Sequence, residues 1–328
     1  GGKPLLDSRI EVTRAIDGVR ICIETLRSQA GETIPMGINE ASSGRIAFTR
    51  PEPIGVVVAV SAFNHPLNLI IHQVGPAIAA GCPVIVKPAR STPISCFNFI
   101  EILKQAGLPD GWCQMVVIDD SKLSTKLVSD QRVGFFSFIG SSKVGWMLRS
   151  KLAPGARCAL EHGGVAPVIV AEDADVADAL PKLAKASFYH AGQVCVSVQR
   201  VYVHQSLARE LADRLASHAT ALVVGDPLNE ATEVGPLITP AEVERVGAWV
   251  NEAVSAGAEL MVGGKAISPT CYAPTVLYDP ADDQQVSQRE IFGPVICIYP
   301  VTDIDSAITR ANQLPFAFQA SIFTKNID

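Results

Sequence analysis

The stretch Ile54-Gly55-Val56-Val57-Val58-Ala59-Val60 carries no polar side chain and is dominated by β-branched residues. Such a short unbroken apolar run is the pattern of a strand covered on both faces, as strands of parallel sheets are. A loop carrying Asn64 and Pro66 closes it. Outward from this strand the same rhythm repeats: helix over 67–80, strand 83–87, helix 93–106, strand 114–118, helix 121–129, strand 133–138, and a helix from Gly140 to Leu152. After Gly163-Gly164 it restarts with strand 166–170, helix 175–190, strand 198–203 and helix 206–220. Alternation of this kind implies βαβ units, hence an α/β fold with doubly wound parallel sheets in two domains. The boundary is expected at Gly163-Gly164. Upstream, Ser8 and Glu11 have capping-box spacing ahead of Ile16, Val19, Ile23 and Leu26, which predicts a helix of about 20 residues ending near Gly31. The polar-tinged stretch 38–52 alternates and is expected to form strands. Thr239-Pro240-Ala241-Glu242 is a second capping box, opening a helix that stops at Gly257.

A chain of 328 residues with 48% hydrophobic and 18% charged residues has enough apolar surface for two separate cores. Its net charge of −6 argues against nucleic acid or anionic lipid as the main partner, because phosphate backbones demand clustered Lys and Arg. Apolar stretches fall well short of the roughly 20 residues that span a bilayer, and no signal pattern opens the chain, so a cytoplasmic location without a membrane partner is expected. Eight cysteines lie scattered without C-x-x-C spacing, and the six histidines form no pair at metal-binding spacing, so neither a disulfide framework nor a metal site is expected.

Three residues have the chemistry for covalent work. Gly192-Gln193-Val194-Cys195 lies between a predicted helix and a predicted strand, which puts Cys195 in a loop where a thiolate is reachable. Glu161 falls at the expected domain boundary, where a carboxylate facing a cleft loses solvation. Asn64 offers a neutral amide donor of the sort a developing oxyanion needs. Each has a plain alternative: an inert thiol, a surface acid, a turn-closing amide. Gly140-Ser141, between strand and helix, would present free backbone N–H groups to a diphosphate.

Taken together these segments resemble the aldehyde dehydrogenase superfamily, in family order. Phe63-Asn64-His65-Pro66 resembles its W-N-F-P motif, Lys87-Pro88-Ala89 its K-P-A segment, and Phe138-Ile139-Gly140-Ser141 its F-T-G-S segment. Leu160-Glu161-His162-Gly163-Gly164 resembles L-E-L-G-G, Gly192-Gln193-Val194-Cys195 the nucleophile motif, and Glu290-Ile291-Phe292-Gly293-Pro294 the E-I-F-G-P motif. The resemblance implies Cys195 as nucleophile, Glu161 as general base and Asn64 in the oxyanion hole. It also implies NAD or NADP as cofactor, contacted by Lys87, Arg90, Gly140, Ser141, Gly163, Glu290 and Phe292, and an aldehyde oxidised to a carboxylic acid.

On this reading 1–37 and 53–163 form a Rossmann-like dinucleotide-binding domain, 38–52 are oligomerisation strands of a homodimer or homotetramer, and 164–328 form the catalytic domain. Relative to the family the chain is expected to be truncated at both ends. Phe63, His65, Ile139 and His162 replace the family's usual residues without removing a catalytic atom. F-N-H-P looks like relatives that act on small polar aldehydes, and Val194 lacks the charge that would select an anionic one. Arg90, where many NAD-preferring relatives carry a glutamate, points to acceptance of NADP. A catalytically silent member of the fold and a CoA-acylating dehydrogenase are the alternatives.

Overall fold

The computed structural model describes residues 1–326, which divide into two compact units: 11–161, and 162–326 together with 1–10. In the first, the N-terminal unit, α1 (Leu5–Ser28, begun in the other unit) precedes the two-residue strands β1 (Thr33–Ile34) and β2 (Ala47–Phe48), which pair antiparallel. Then follow β3 (Val56–Val60), α2 (Asn68–Ala79), β4 (Val84–Lys87), α3 (Ile94–Gln105), β5 (Cys113–Met115), α4 (Ser121–Val128), β6 (Val133–Ile139), α5 (Ser142–Arg149) and β7 (Arg157–Glu161).

The five strands from β3 to β7 form one sheet in the order β5-β4-β3-β6-β7, and every pairing is parallel. From β3 the chain winds outward to β4 and β5, then returns to the other side of β3 for β6 and β7. That reversal is the switch point of a doubly wound sheet, with its crevice at the carboxyl ends of β3 and β6. The valine run behaves as its composition demands. Val57 and Ala59 enter the core beneath α2 and α3, with Ile70, Val74 and Phe99. Val58 and Val60 enter the opposite core with Val128, Phe136 and Leu148. Period-two alternation thus supplies both faces, and each buried valine contributes roughly 1.5–3 kcal/mol.

The C-terminal unit contains β8 (Ala166–Val170), α6 (Val176–Phe188), β9 (Val198–His204), α7 (Gln205–Ala221), α8 (Pro240–Ser255), β10 (Glu259–Val262), β11 (Thr275–Tyr278), α9 (Gln285–Gln288), β12 (Val295–Val301), α10 (Ile304–Ala311) and β13 (Ser321–Phe323). Its sheet runs β10-β11-β12-β9-β8-β13, parallel except for the antiparallel β10–β11 pair. Residues 1–10 belong here: the Leu5 N–H donates to the Pro227 carbonyl (2.9 Å) and buried Asp7 faces Lys185 (3.5 Å). Burial raises the Asp7 carboxyl pKa, and the Lys185 charge opposes the rise.

Three expectations are corrected. Ser8 and Glu11 do not cap α1, which begins earlier at Leu5; Glu11 instead accepts from the N–H groups of Leu67 and Asn68, at 2.8 and 2.9 Å, and so caps α2. Of 38–52 only Ala47–Phe48 is strand, and it pairs with Thr33–Ile34, outside the expected range. The remainder turns because the Asn39 side chain accepts from the Ser42 N–H (2.9 Å) and Gly44 takes a positive φ, so side-chain bonding competes with the ladder. Thr239 stands at the N-cap of α8 without a side-chain capping bond, since Glu242 pairs with Arg245 instead.

Candidate active site

In the N-terminal unit every expected site residue lies at or beyond the carboxyl end of a strand. Asn64 lies in the β3–α2 loop and is buried, as is His65. The loop is tied on two sides: the Ser61 N–H donates to the Lys87 carbonyl (3.0 Å) and the Thr92 hydroxyl to the Phe63 carbonyl (3.3 Å). Glu11, by capping α2, fixes where the loop ends. Lys87 is the last residue of β4; burial, and secondarily the charge of Arg90, depress its ammonium pKa. Arg90 is exposed and ion-paired with Asp119 at 3.1 Å. Gly140 follows β6, and its N–H donates to the carbonyl of Glu161, the last residue of β7 (3.1 Å). Ser141 is the N-cap of α5 but makes no capping bond with its side chain. Asn64, Lys87, Ser141 and Glu161 therefore all sit at the carboxyl edge of one parallel sheet.

In the C-terminal unit they precede strands. Cys195, half-buried, lies just before β9; Glu290 and Phe292 lie just before β12, and Gly163 before β8. The chain reaches Cys195 through a tight turn in which His190, Ala191 and Gly192 all take left-handed φ values of 49°, 55° and 70°. For His190 and Ala191 this is a strained conformation that surrounding structure must impose. Part of that structure is Gln193. Its amide donates to the carbonyls of His190 (3.3 Å) and Pro236 (3.2 Å) and accepts from the Ile238 N–H (2.9 Å). Gly192 is required on steric grounds too, because a Cβ there would run into the Gly293 carbonyl.

Glu290 is the most perturbed acid of this region. Burial pushes its carboxyl up to about 7, and the charge of Arg245 holds it back from rising further. Its Oε1 is buried without a hydrogen-bond partner among the described residues. Gly163 permits the arrangement, since any Cβ at that position would overlap the Glu290 carboxylate. Such an orphaned acceptor suits a sugar hydroxyl donor, and Ser141 beside the start of α5 suits a diphosphate. The residues thus fit a dinucleotide. Among the described residues no group of three or more His, Cys, Asp or Glu side chains is placed to hold a metal ion.

A cavity of about 840 Å³ opens at the opposite edge of the same sheet, lined by Asp173, His204, Asp303 and Thr324 among others, and contains none of the expected site residues. Two of its three acids are already engaged with protein. Asp173 accepts from the Thr324 hydroxyl and from the N–H groups of Lys325 and Asn326, and Asp303 caps α10 through Ser306.

Reading the sequence missed Glu11, Gln199 and Arg245 as supports of these loops. Gln199 was detectable: it is a polar residue within an otherwise strand-like run and four residues beyond Cys195.

Residues 1–328 match the model of the aldehyde dehydrogenase family, and the chain belongs to that family. It is 40% identical over 326 residues to a 3-sulfolactaldehyde dehydrogenase of Priestia aryabhattai, covering 99% of this chain and 68% of the relative. Against a lactaldehyde dehydrogenase of Methanococcus vannielii the identity is 36% over 331 residues, with coverage of 100% and 69%. A glyceraldehyde-3-phosphate dehydrogenase of Methanocaldococcus jannaschii, solved in complex with NADP, superposes with a TM-score of 0.93 at 36% identity, covering 99% of this chain and 70% of that one. The class is that of NAD(P)-dependent oxidoreductases that convert an aldehyde to a carboxylic acid. No helix among the described residues is long and apolar enough to cross a membrane.

Proposed function

We propose that Cys195, Asn64 and Glu161 carry the reaction, and that the substrate is a small, hydroxylated, uncharged aldehyde. The observation that carries the assignment is the delivery of Asn64, Lys87, Ser141 and Glu161 to one edge of the N-terminal sheet, the edge where doubly wound sheets bind ligands. The Cys195 thiolate forms a C–S bond with the aldehyde carbon, while the Asn64 amide and the Cys195 N–H donate to the resulting oxyanion. When bound, the dinucleotide supplies the acceptor for the hydride lost from that carbon. Glu161 then takes a proton from water, whose oxygen attacks the thioester; the C–S bond breaks, the acid leaves and the thiolate is restored. Retention of Glu161 favours water over CoA as the acyl acceptor, and retention of all three groups weighs against a silent fold.

Lys87 and Glu290 would hold the cofactor riboses, Ser141 and Gly140 the diphosphate, and Gly163 and Phe292 would shape the nicotinamide end. Arg90 at the end of β4 favours NADP, with Asp119 competing for its guanidinium. Buried His65 beside Asn64 and buried, uncharged Val194 beside Cys195 support a small neutral substrate. The 40% identity to a sulfolactaldehyde enzyme favours a second reading, an anionic three-carbon aldehyde. A panel of lactaldehyde, sulfolactaldehyde, glyceraldehyde 3-phosphate and long alkyl aldehydes, followed by reduced-cofactor absorbance, separates them. The highest kcat/KM is expected with lactaldehyde; preference for either anion establishes the second reading, and preference for long alkyl aldehydes overturns both.

Exposed Ile38, Ile46 and Phe48, at 80%, 88% and 74%, support a homodimer or homotetramer joined near 38–52.

A further inference from the structure

Glu290 holds its place although its own Oε1 is without a hydrogen-bond partner among the described residues. The main chain on both sides of it is gripped by one buried side chain. Gln199, 4% exposed on β9, donates through Nε2 to the carbonyls of Val286 (2.7 Å) and Arg289 (2.6 Å), while its Oε1 accepts from the Ile291 N–H (2.8 Å). Arg289 and Ile291 flank Glu290, so the amide closes a bracket across the acid from behind. A second hold comes from α8, where the Arg245 guanidinium donates to the Ile291 carbonyl at 2.6 Å, pairs with Glu242 and lies over the Trp249 ring. Beyond Ile291 the chain takes a left-handed φ of 48° at Phe292, and Gly293 meets the backbone of Gly192.

The two glutamines near the nucleophile thus divide their tasks. Gln193 ties the Cys195 loop to 236–238, and Gln199 ties the strand that follows to the segment bearing Glu290. Both donors and one acceptor lobe of the Gln199 amide are used, and all three partners are main-chain groups. An apolar replacement of equal length would fill the space but leave Val286, Arg289 and Ile291 with unmet groups, freeing Glu290 to turn away from its orphaned, inward orientation.

We propose that Gln199 is a positioning residue for the dinucleotide: through the main chain it sets the direction of the Glu290 carboxylate, and hence the affinity for the nicotinamide ribose, without touching the nucleophile. This rests on the reading of Glu290 as a ribose ligand.

The test uses full-length protein, with NADPH binding followed by fluorescence and Cys195 alkylation by iodoacetamide followed without dinucleotide. Gln199→Met is expected to raise the NADPH Kd and the KM for NADP by about tenfold, with the aldehyde KM and the alkylation rate within about twofold of wild type. Gln199→Glu, which keeps the acceptor for the Ile291 N–H, guards against misfolding of the first variant and is expected to raise the NADPH Kd as well, because a carboxylate cannot donate to the Val286 and Arg289 carbonyls. Glu290→Gln is measured beside them. If Glu290→Gln weakens NADPH binding while both Gln199 variants bind like wild type, the positioning role is overturned and the ribose reading survives. If Glu290→Gln itself leaves binding unchanged, the ribose reading falls and takes the proposal with it. Loss of alkylation rate in step with binding in both Gln199 variants would make the residue a general scaffold and equally overturn the proposal.

Discussion

The two parallel sheets are used at opposite ends. In the N-terminal unit the proposed site residues Asn64, Lys87, Ser141 and Glu161 lie at or just beyond the carboxyl ends of β3, β4, β6 and β7, where the chain is about to enter a helix or leave the sheet. In the C-terminal unit Gly163, Cys195 and Glu290 come before β8, β9 and β12. The physical difference lies in what the neighbouring helices present. A loop that follows a strand leads into a helix N-terminus, with unpaired N–H groups and partial positive charge, suited to a diphosphate without further help. A loop that precedes a strand leaves a helix C-terminus, and its shape must come from side chains instead. Buried amides supply that shape: Gln193 and Gln199 each make three bonds to main chain around these loops, whereas the buried amide of the N-terminal unit, Gln73 on α2, ties two strand ends together through the Val60 and Ser137 carbonyls and the Ser137 hydroxyl. One edge offers helix starts, while the loops of the other are braced by side chains.

Substitutions at each edge can break this division. The largest effect is expected from Cys195→Ser at the braced edge: kcat should fall by about 10³-fold or more, because a hydroxyl is a far poorer nucleophile than a thiolate at neutral pH. Titration with NADPH should give a Kd within about twofold of wild type; loss of both together would mean that the nucleophile loop also builds the cofactor site. Next comes Glu161→Gln at the other edge. Stopped-flow absorbance should record a burst of reduced cofactor equal to the enzyme concentration, then a steady state slowed by about 10²-fold. An unchanged steady state would remove Glu161 as the base.

Smaller still is the effect of Arg90→Glu, expected to move the kcat/KM ratio toward NAD by about tenfold, equivalent to about 1.4 kcal/mol. An unmoved ratio would leave Arg90 as no more than the partner of Asp119. An effect of another kind, on stability rather than turnover, concerns Glu290 without any ligand. Its folded-state pKa of about 7 lies above the ordinary glutamate range, so folding takes up a proton. The group therefore favours the fold fully below the unfolded-state value and loses that contribution as pH rises through 7. Glu290→Gln removes the penalty, and denaturant titration should find it more stable than wild type by about 3 kcal/mol at pH 8 and nearly equal at pH 4. A constant difference across that range would mean that the carboxyl is not held in its buried orientation.

Much of this was legible in the sequence, for identifiable reasons. The run Val56–Val60 announces a strand covered twice because each alternate valine needs its own core, and the helix-strand rhythm around it follows from the same periodicity. Loops with Gly, Asn and Pro mark where strands end, which placed Asn64, Gly140 and Cys195 correctly relative to their elements. What stayed hidden was non-local. Ser8 and Glu11 match a capping box by spacing, yet Glu11 serves a helix 56 residues away, a partnership that no local pattern encodes. Residues 38–52 alternate like strand, but the Asn39 side chain claims the backbone first. Gln199 could be noticed as polar in an apolar run, but its partners lie nearly 90 residues downstream.

The Glu11 contact also bears on what keeps the Asn64 loop in place. α2 has Leu67 at its N-cap and no side-chain capping bond there, so its leading N–H groups depend on a carboxylate carried on α1. A cap of this kind contributes about 1 kcal/mol to a helix start, and the Asn64 loop ends where that start begins. The loop proposed to hold the oxyanion thus leans on a residue far from it in sequence.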